Sequence, residues 1–347
     1  MRKPTIHLIS EYQKKARTET YWKECFKDED FSEYDVNIID GTNTYHDSFL
    51  FSDTHYKATQ LKVIMDLIIK NGVKRGDIFI FVNAWNFIAA PLSYFKDEFG
   101  MDFKMIGFWG NALFNQDSPM WQRFKRRYKS WGREFEKALF DAYDLNCFLC
   151  QEHFTLFKRK YGRLKSDYAI TGFPFEYLTR KIQILTKEDI IVFPYEINYN
   201  EIQANIFRGL RSDLPEFEFI FARENHNSRI HYLELLSKSK ILFSAQKFEY
   251  DPVILWEGML HGVFPIVPDR KMYHYFFPKN YQYPPALTFP KNNKYLYVLR
   301  NRMQLQDFIK ETFDNYNNNK DQILIDAKEM GKKYYSNKPF LERLKEL

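Results

Sequence analysis

The stretch Ser244–Pro278, SAQKFEYDPVILWEGMLHGVFPIVPDRKMYHYFFP, decides the fold because it holds one complete strand–helix–strand unit. Asp251 can accept a hydrogen bond at the start of the helix, Pro252 fits its first position, and Gly262 can end it. The apolar run Val263–Val267 then has the composition of a buried parallel strand. Such a unit is the building block of a doubly wound α/β sheet.

Two glutamates frame this helix. Glu249 lies in the loop before it and Glu257 lies within it. Because the rest of the helix is apolar, burial of Glu257 without a polar partner would cost several kcal/mol. The two hydroxyl groups of a ribose would be such a partner, whereas the glutamate pair alone also fits an ordinary α/β helix with one solvated glutamate.

The longer motif around Glu257 carries a resemblance to a known family. With the two glutamates, the run Gly258-Met259-x-x-Gly262-x-x-Pro265-Ile-Val resembles the nucleotide-sugar half of retaining GT-B glycosyltransferases. The resemblance implies that Glu257 binds the donor ribose and that Glu249 lies near the transferred sugar. A narrower set, phage-encoded glycosyltransferases of modified DNA and tRNA-queuosine glycosyltransferases, is similar in the tail Pro268-Asp269-Arg270-x-x-Tyr273 and Pro278.

Length and composition bound the class of protein. A chain of 347 residues exceeds what one hydrophobic core usually supports, so two domains are expected. The formal charge of +6 suits a polyanionic partner without requiring one. No apolar run reaches transmembrane length, and no GxxxxGK phosphate loop is present, which disfavours a membrane-spanning protein and a P-loop enzyme. The cysteines fit buried thiols in a reducing cytosol, namely Cys25, Cys147 and Cys150.

Alternating strand and helix patterns predict two α/β units. The predicted strands are Thr5–Ile9, Val36–Ile39, Asp77–Val82, Met105–Trp109 and Cys147–Cys150, then Asp189–Pro194, Phe217–Phe221, Ile241–Ser244 and Val263–Val267. We therefore predict an α/β protein of the GT-B fold, with two Rossmann-like doubly wound domains facing across a cleft. Residues 1–180 would form the N-terminal acceptor-binding domain and residues 181–319 the nucleotide-sugar-binding domain. The GT-B resemblance implies that a C-terminal helix within 320–347 returns to the N-terminal domain.

The second domain holds the candidate donor contacts. Relatives usually place an Arg and a Lys after its first strand to neutralise the donor diphosphate, but Tyr195-Glu196 and Glu201-Ile202-Gln203 stand here instead. A diphosphate still needs donors, and amides at a helix N-terminus can supply some of them. We assign as nucleotide-sugar-binding residues Glu257, Pro252, Val253, Lys247, Arg223, Tyr195 and Arg270, and leave open which cation meets the diphosphate.

Candidate catalytic residues come from both halves. The strand Met105–Trp109 runs into Gly110-Asn111-Ala112 and Asp117, where the phage-type enzymes commonly carry His-Ala-Gly with the histidine near the donor sugar. This departure means that no histidine role is transferred. We assign Asn111 and Asp117, together with Glu249, as candidate catalytic residues. The polar segment from Asp40 to Thr59 is a candidate acceptor loop or a solvated loop, with His46, Asp47, Asp53 and His55.

A long helix near Trp121 has one aromatic and one basic face. Its aromatic residues recur at the helical spacing typical of a core-facing stripe, although bases could also stack on them: Trp121, Phe124, Tyr128, Trp131 and Phe135. The other face fits either a solvated surface or a contact with DNA phosphates. To the DNA contact we assign Arg123, Arg126, Arg127 and Lys129.

These observations predict a glycosyltransferase. It would move a sugar of the glucose or arabinose class from a UDP-sugar to the hydroxymethyl group of 5-hydroxymethylcytosine, or of hydroxymethyluracil, in phage DNA. We expect double-stranded DNA and a nucleotide sugar as partners, with no membrane, no tightly bound cofactor and no obligatory metal. A cytoplasmic monomer is expected, in the host cytoplasm if the protein is phage-encoded. The alternatives are a bacterial cell-surface polysaccharide or tRNA-queuosine glycosyltransferase, and a DNA-binding module without catalysis.

Overall fold

The computed structural model of the chain describes residues 2–11, 17–43, 49–110, 112–114, 129–195, 197, 201–225, 228–246, 250–288 and 299–347. The chain divides into two compact units. The first consists of Met1–Tyr177 and Lys333–Leu347, and the second of Leu178–Lys332. Each unit is built around its own parallel β-sheet.

The first unit has a six-stranded sheet in the order β2-β1-β3-β4-β5-β6. Its strands are β1 (Thr5–Ile9), β2 (Asp35–Ile39), β3 (Ile78–Phe81), β4 (Lys104–Trp109), β5 (Leu145–Phe148) and β6 (Asp167–Ile170). The helices that connect or cover them are α1 (Arg17–Cys25), α2 (Phe49–Ile69), α3 (Ala89–Glu98), α4 (Lys129–Ala142) and α5 (Gln151–Tyr161). Every residue of β3 and β5 is buried, as expected for central strands of a parallel sheet covered on both faces.

The C-terminal helix packs into the core of the first unit. Its Phe340 is fully buried, and its ring lies 4.9 Å from that of Phe108 on β4. Upstream of this helix, the backbone of Tyr334 approaches Gly172 so closely that a Cβ on Gly172 would lie 2.4 Å from the Tyr334 carbonyl oxygen. Gly172 has a φ of +67°, which favours glycine for a second reason.

The second unit has a five-stranded parallel sheet in the order β8-β7-β9-β10-β11. Its strands are β7 (Glu188–Phe193), β8 (Glu218–Phe221), β9 (Ser239–Phe243), β10 (Phe264–Pro268) and β11 (Gln282–Tyr283). Its helices are α6 (Glu201–Asp213), α7 (Ala222–Asn225), α8 (Arg229–Lys238), α9 (Val253–Leu260), α10 (Lys271–Phe276), α11 (Leu299–Asp314) and α12 (Tyr316–Met330). The C-terminal helix described above, which belongs to the first unit, is α13 (Lys338–Glu346).

Two predictions about loops and strands in the first unit are wrong. The segment predicted as a loop from Asp40 to Thr59 contains the start of α2, which begins at Phe49. Asp53 therefore lies on a helix, where it accepts a hydrogen bond at 2.9 Å from Lys57 one turn later. His46 and Asp47 lie outside the described residues. The strand predicted at Cys147–Cys150 is β5, which ends at Phe148, so that Cys150 instead caps the start of α5.

The cysteine thiols are buried, as expected from the sequence. Burial raises the pKa of Cys147 and of Cys150 to about 12, so both remain protonated near neutral pH. Neither has the low pKa of a reactive thiol.

In the described part of α4, one member of the aromatic stripe is exposed and a glutamate is buried. Within its described part, Trp131 is 55% exposed, whereas Glu136 is fully buried. Glu136 is tolerated inside because its Oε2 accepts from the Leu113 N–H at 2.5 Å and its Oε1 from the Tyr161 hydroxyl at 2.6 Å. A pattern that counts only apolar residues places such a glutamate on the surface, whereas its two hydrogen-bond donors hold it inside.

Candidate nucleotide-sugar site

The second unit has one position at which its strand order reverses. The chain passes from β7 outward to β8, then returns to the other side of β7 as β9. Ligands of doubly wound sheets bind in the crevice beyond the carboxyl ends of the two strands at such a position. Tyr195 stands just beyond the end of β7, and Ser244 directly follows β9. These two residues therefore mark the place where the fold itself favours a ligand.

A buried cluster of hydroxyl groups fills this strand edge. The Tyr195 hydroxyl donates to Ser244 Oγ at 3.0 Å, and the Tyr273 hydroxyl lies 3.0 Å from the same oxygen. The Tyr283 hydroxyl donates to the Ser244 carbonyl, also at 3.0 Å. The Gln246 N–H donates to Ser244 Oγ at 3.3 Å. Since Tyr195 and Gln246 both donate to this oxygen, the Ser244 proton is directed toward Tyr273.

The sequence prediction identified Tyr195 at this edge but not Ser244, Tyr273 or Tyr283 as its partners. Each of these three is fully buried. Their contacts join β7, β9, the start of α10 and β11, so they depend on strand order rather than on any local spacing. A local signal was present only for Tyr195, which directly follows the predicted strand Asp189–Pro194; Tyr283 lies on β11, which was not predicted.

The helix α9 begins at Val253, one residue later than predicted, and Pro252 is its capping residue. The Val253 N–H donates to the Asp251 carboxylate at 3.3 Å, so Asp251 still satisfies one amide of the first turn. The helix lies close against β9, since a Cβ on Gly258 would come within 2.0 Å of the Leu242 side chain. This close approach explains the glycine in the Gly258-Met259 motif.

Glu257 lies on α9 and forms an ion pair with Arg229. Arg229 Nη1 donates to Glu257 Oε2 at 2.8 Å, and Nη2 donates to Oε1. The side chain of Glu257 is 2% exposed and that of Arg229 is 18% exposed. The polar partner that the apolar helix required is thus supplied by the protein. A carboxylate accepts about four hydrogen bonds in total, so a pair with one arginine is compatible with further donors from a ligand.

Arg229 was not predicted as a site residue. It is the first residue of α8, which Ser228 caps by accepting from the His231 N–H at 3.2 Å. The bidentate pair fixes the Glu257 carboxylate in one orientation.

Arg223 and Arg270 stand beyond two further strand ends. Arg223 is the second residue of α7, directly after β8, and Arg270 follows β10. Together with Tyr195 and Ser244, they place polar side chains after four neighbouring parallel strands at the same edge. Beside Arg270, hydrogen bonds from Lys279 and His274 lower the pKa of the Asp269 carboxyl.

Most catalytic and DNA-binding assignments fall outside the described residues, as does one donor contact. These are Asn111, Asp117, Glu249, Lys247, Arg123, Arg126 and Arg127. Lys129 is the first residue of α4, and its side chain is likewise outside the description. Their roles stay predictions.

A cavity of about 530 Å³ lies at the opposite, amino-terminal edge of the second sheet. Lys187, which lines it, donates to the carbonyl oxygens of Leu236, Ser239 and His261 at 3.1, 2.8 and 2.7 Å. Burial lowers the pKa of Lys187 to about 7, whereas three carbonyls at the ends of helices favour its charged form. This lysine fastens α8 and α9 to the sheet and does not belong to the candidate site.

Two general features bear on cofactors and membranes. Within the described residues, no group of three or more histidine, cysteine, aspartate or glutamate side chains is placed to hold a metal ion. In the same part of the chain, every helix is too short or too polar to span a bilayer.

No protein-family model and no curated protein matches the chain. Solved structures do match it. Sucrose-phosphate synthase from Thermosynechococcus elongatus superposes with a TM-score of 0.64 at 9% identity, over 99% of this chain and 98% of that chain. HepE from Anabaena in complex with UDP has a TM-score of 0.60 at 10% identity, over 99% and 100%. The catalytic domain of starch synthase IV from Arabidopsis thaliana, bound to ADP and acarbose, has a TM-score of 0.52 at 10% identity, over 95% and 98%.

At these identities the likeness shows the fold. The chain has the GT-B fold, an α/β architecture with two Rossmann-like doubly wound units. The predicted fold class is therefore confirmed.

Proposed function

We propose that the protein is a glycosyltransferase that moves a sugar from a UDP-sugar to the hydroxymethyl group of 5-hydroxymethylcytosine or 5-hydroxymethyluracil in phage DNA. The observation that carries the donor half is the strand edge of the second unit, where the buried Glu257 carboxylate lies on the helix that follows the switch point. The solved HepE structures of the same fold contain UDP, UDP with glucose, or UDP-glucose, which supports a nucleotide-sugar donor.

In this proposal the second unit, close to residues 181–319, binds the donor. Glu257, held by Arg229, accepts hydrogen bonds from the ribose hydroxyls. The first amides of α9 donate to the diphosphate, and Arg223 or Arg270 supplies positive charge as the diphosphate leaves. Glu249 lies beside the transferred sugar. No step of this scheme requires a metal ion.

The first unit, close to residues 1–180, binds the acceptor and aligns its hydroxymethyl oxygen with the anomeric carbon. Asn111 and Asp117 follow β4 and are assigned to this alignment. The DNA acceptor is supported by the sequence resemblance and by the basic run Arg123, Arg126, Arg127 and Lys129. A cytoplasmic monomer that acts on double-stranded DNA completes the proposal.

The test is incubation with hydroxymethylated DNA and a panel of UDP-sugars, followed by mass spectrometry of the nucleosides. A glycosylated hydroxymethylpyrimidine supports the proposal and identifies the sugar. If no UDP-sugar modifies the DNA while the protein binds UDP, the DNA acceptor is wrong.

The basic run permits a second test of the DNA acceptor. Replacing Arg126 and Arg127 by alanine should flatten the slope of log affinity against log salt by roughly two units if both meet phosphates, and leave UDP binding intact. An unchanged slope would show a solvated surface.

A carbohydrate acceptor is the second candidate. Two of the similar structures are enzymes named for carbohydrate products, sucrose phosphate and starch. Oligosaccharides in the same assay separate the two candidates, because transfer to them and not to DNA would favour the carbohydrate acceptor.

A further inference from the structure

The first unit has its own position at which the strand order reverses, between β1 and β3. Glu11 stands beyond the end of β1, and Asn83 stands beyond the end of β3. Asn83 Nδ2 donates to Glu11 Oε1, and Asn83 Oδ1 accepts from the Trp85 N–H at 3.0 Å. Residues from the two strand ends that flank the switch point thus form one hydrogen-bonded set where doubly wound sheets bind ligands.

The backbone that carries Trp85 is held from several sides. The Ala84 N–H donates to the Phe108 carbonyl at 2.9 Å, and the Tyr143 hydroxyl donates to the Ala84 carbonyl at 2.9 Å. Asn86 is 2% exposed, and its Oδ1 accepts from the Ile88 N–H at 3.1 Å. The position of Trp85 is therefore set before any ligand binds, which lowers the cost of binding.

A row of three aromatic rings leads from this edge to the surface. The Trp85 ring meets the Phe135 ring edge-on, with centroids 5.5 Å apart. Phe135 in turn stacks on Trp131 at 5.2 Å, with only 7° between the two planes. Trp85 is half-buried and Trp131 is 55% exposed. We call Trp85, Phe135 and Trp131 the aromatic shelf. Faces of this kind stack on bases and sugars.

Asn83 links the Glu11 carboxylate to the backbone of Trp85, and the charge of Glu11 bears on what can bind beside it. An ionised carboxylate only accepts hydrogen bonds, so Glu11 favours a group that donates and disfavours a phosphate or a carbonyl oxygen. The exocyclic amino group of cytosine is such a donor, and glutamate accepts from it in known base recognition. Uracil presents a carbonyl oxygen at the same position.

We infer that Glu11, Asn83 and the aromatic shelf form the site for the acceptor base, with a preference for 5-hydroxymethylcytosine over 5-hydroxymethyluracil. The base leaves the DNA stack, lies against the shelf and donates its amino group to Glu11. Asn83 is a positioning residue that orients the Glu11 carboxylate relative to Trp85. The inference rests on the proposed DNA acceptor and specifies which base is taken.

The experiment measures affinity for fluorescent duplexes by anisotropy in saturating UDP. Each duplex contains one 5-hydroxymethylcytosine or one 5-hydroxymethyluracil opposite an abasic site, so that the cost of extruding the base is similar. The wild-type protein should bind the cytosine duplex about tenfold more tightly. Glu11→Gln should reduce this preference to less than twofold, because an amide donates as well as accepts.

Trp131→Ala should weaken binding of both duplexes by about tenfold, the usual effect of losing one stacked aromatic side chain. The matched controls are Glu98→Gln and Phe99→Ala, two exposed residues at the end of α3 in the same unit. Neither control should change the affinity or the preference. Binding of UDP, measured for every variant, reports whether the protein is folded and the donor site intact.

The outcomes separate this inference from the proposed function. Sugar transfer to DNA with an unchanged preference in Glu11→Gln, or an unchanged affinity in Trp131→Ala, overturns the base site and leaves the glycosyltransferase standing. Base-dependent binding that both variants alter, without sugar transfer, supports the site and removes the activity. If Trp131→Ala impairs only transfer to an oligosaccharide, the shelf binds sugars and the assignment of a base is wrong.

Discussion

Replacement of Arg229 by methionine should destabilise the second unit strongly. The change removes the two hydrogen bonds that Arg229 donates to Glu257, whose side chain is 2% exposed. Breaking a buried pair by removing one partner costs about 3–5 kcal/mol. Because Arg229 keeps 18% of its surface exposed, water can enter when its side chain is lost. We therefore expect the free energy of unfolding to fall by about 3 kcal/mol, the lower end of this range.

The double variant Arg229→Met with Glu257→Gln also removes the buried charge and should recover at least about 1 kcal/mol of that loss. The assay is denaturation in urea at neutral pH with an unchanged m-value. Lys238→Met is the matched control, because it breaks an exposed ion pair with Glu234 on the same helix and should cost less than about 0.5 kcal/mol. A loss of stability in Arg229→Met no larger than in this control, or a double variant less stable than Arg229→Met, would contradict this prediction.

Glu257→Gln also tests whether Glu257 binds the donor nucleotide. If Glu257 accepts hydrogen bonds from the ribose, Glu257→Gln should weaken UDP binding by about 1.5–3 kcal/mol, the usual contribution of hydrogen bonds to a charged group. Affinity for DNA should stay unchanged. A folded Glu257→Gln protein with wild-type affinity for UDP would remove Glu257 from the site.

Three further predictions concern the remaining buried contacts. Burial raises the pKa of Glu136 to about 7, so the folded state holds this proton more tightly than the unfolded chain. The free energy of unfolding should therefore fall as pH rises from about 4.5 to about 7. Urea denaturation at several pH values measures this slope, which Glu136→Gln should flatten. Tyr195→Phe removes the bond to Ser244 and should lower the free energy of unfolding by about 1 kcal/mol in urea denaturation, with a loss of UDP affinity only if this hydroxyl also reaches the ligand. Gly172→Ala must displace the Tyr334 carbonyl, so the melting temperature should drop by several degrees, and an unchanged value would show that this backbone contact yields easily.

The sequence predicted the β9–α9–β10 unit well because its signals are local. An apolar run, a capping aspartate and a glycine with a φ of +74° lie within one short stretch, and each acts through its immediate neighbours. The helix start was wrong by one residue, since Pro252 is the capping residue rather than the first helical one. Helix boundaries set by capping residues depend on local backbone chemistry, so they can be predicted to within a residue or two without the tertiary structure.

Residues that act through tertiary contacts were missed. Arg229 lies 28 positions before Glu257, and nothing in the sequence indicates that α8 brings its first residue onto α9. Glu136 was overlooked for a related reason, because its burial depends on donors from Leu113 and Tyr161 on other segments. Sequence patterns recognise apolar faces, whereas a buried charge is recognised only once its partners are known.

In the proposed reaction, the strand edge of the second unit must supply positive charge to the donor diphosphate. Tyr195, Ser244 and Tyr273 can donate hydrogen bonds, but a neutral hydroxyl supplies no full positive charge to a departing diphosphate. Arg229 is already engaged by Glu257, and the pair is close to neutral overall. For the proposed reaction, we therefore expect the leaving group to be stabilised by Arg223 beyond β8, Arg270 beyond β10 and the first amides of α9. Because those groups belong to separate elements, loss of either arginine alone should slow transfer less than loss of both together.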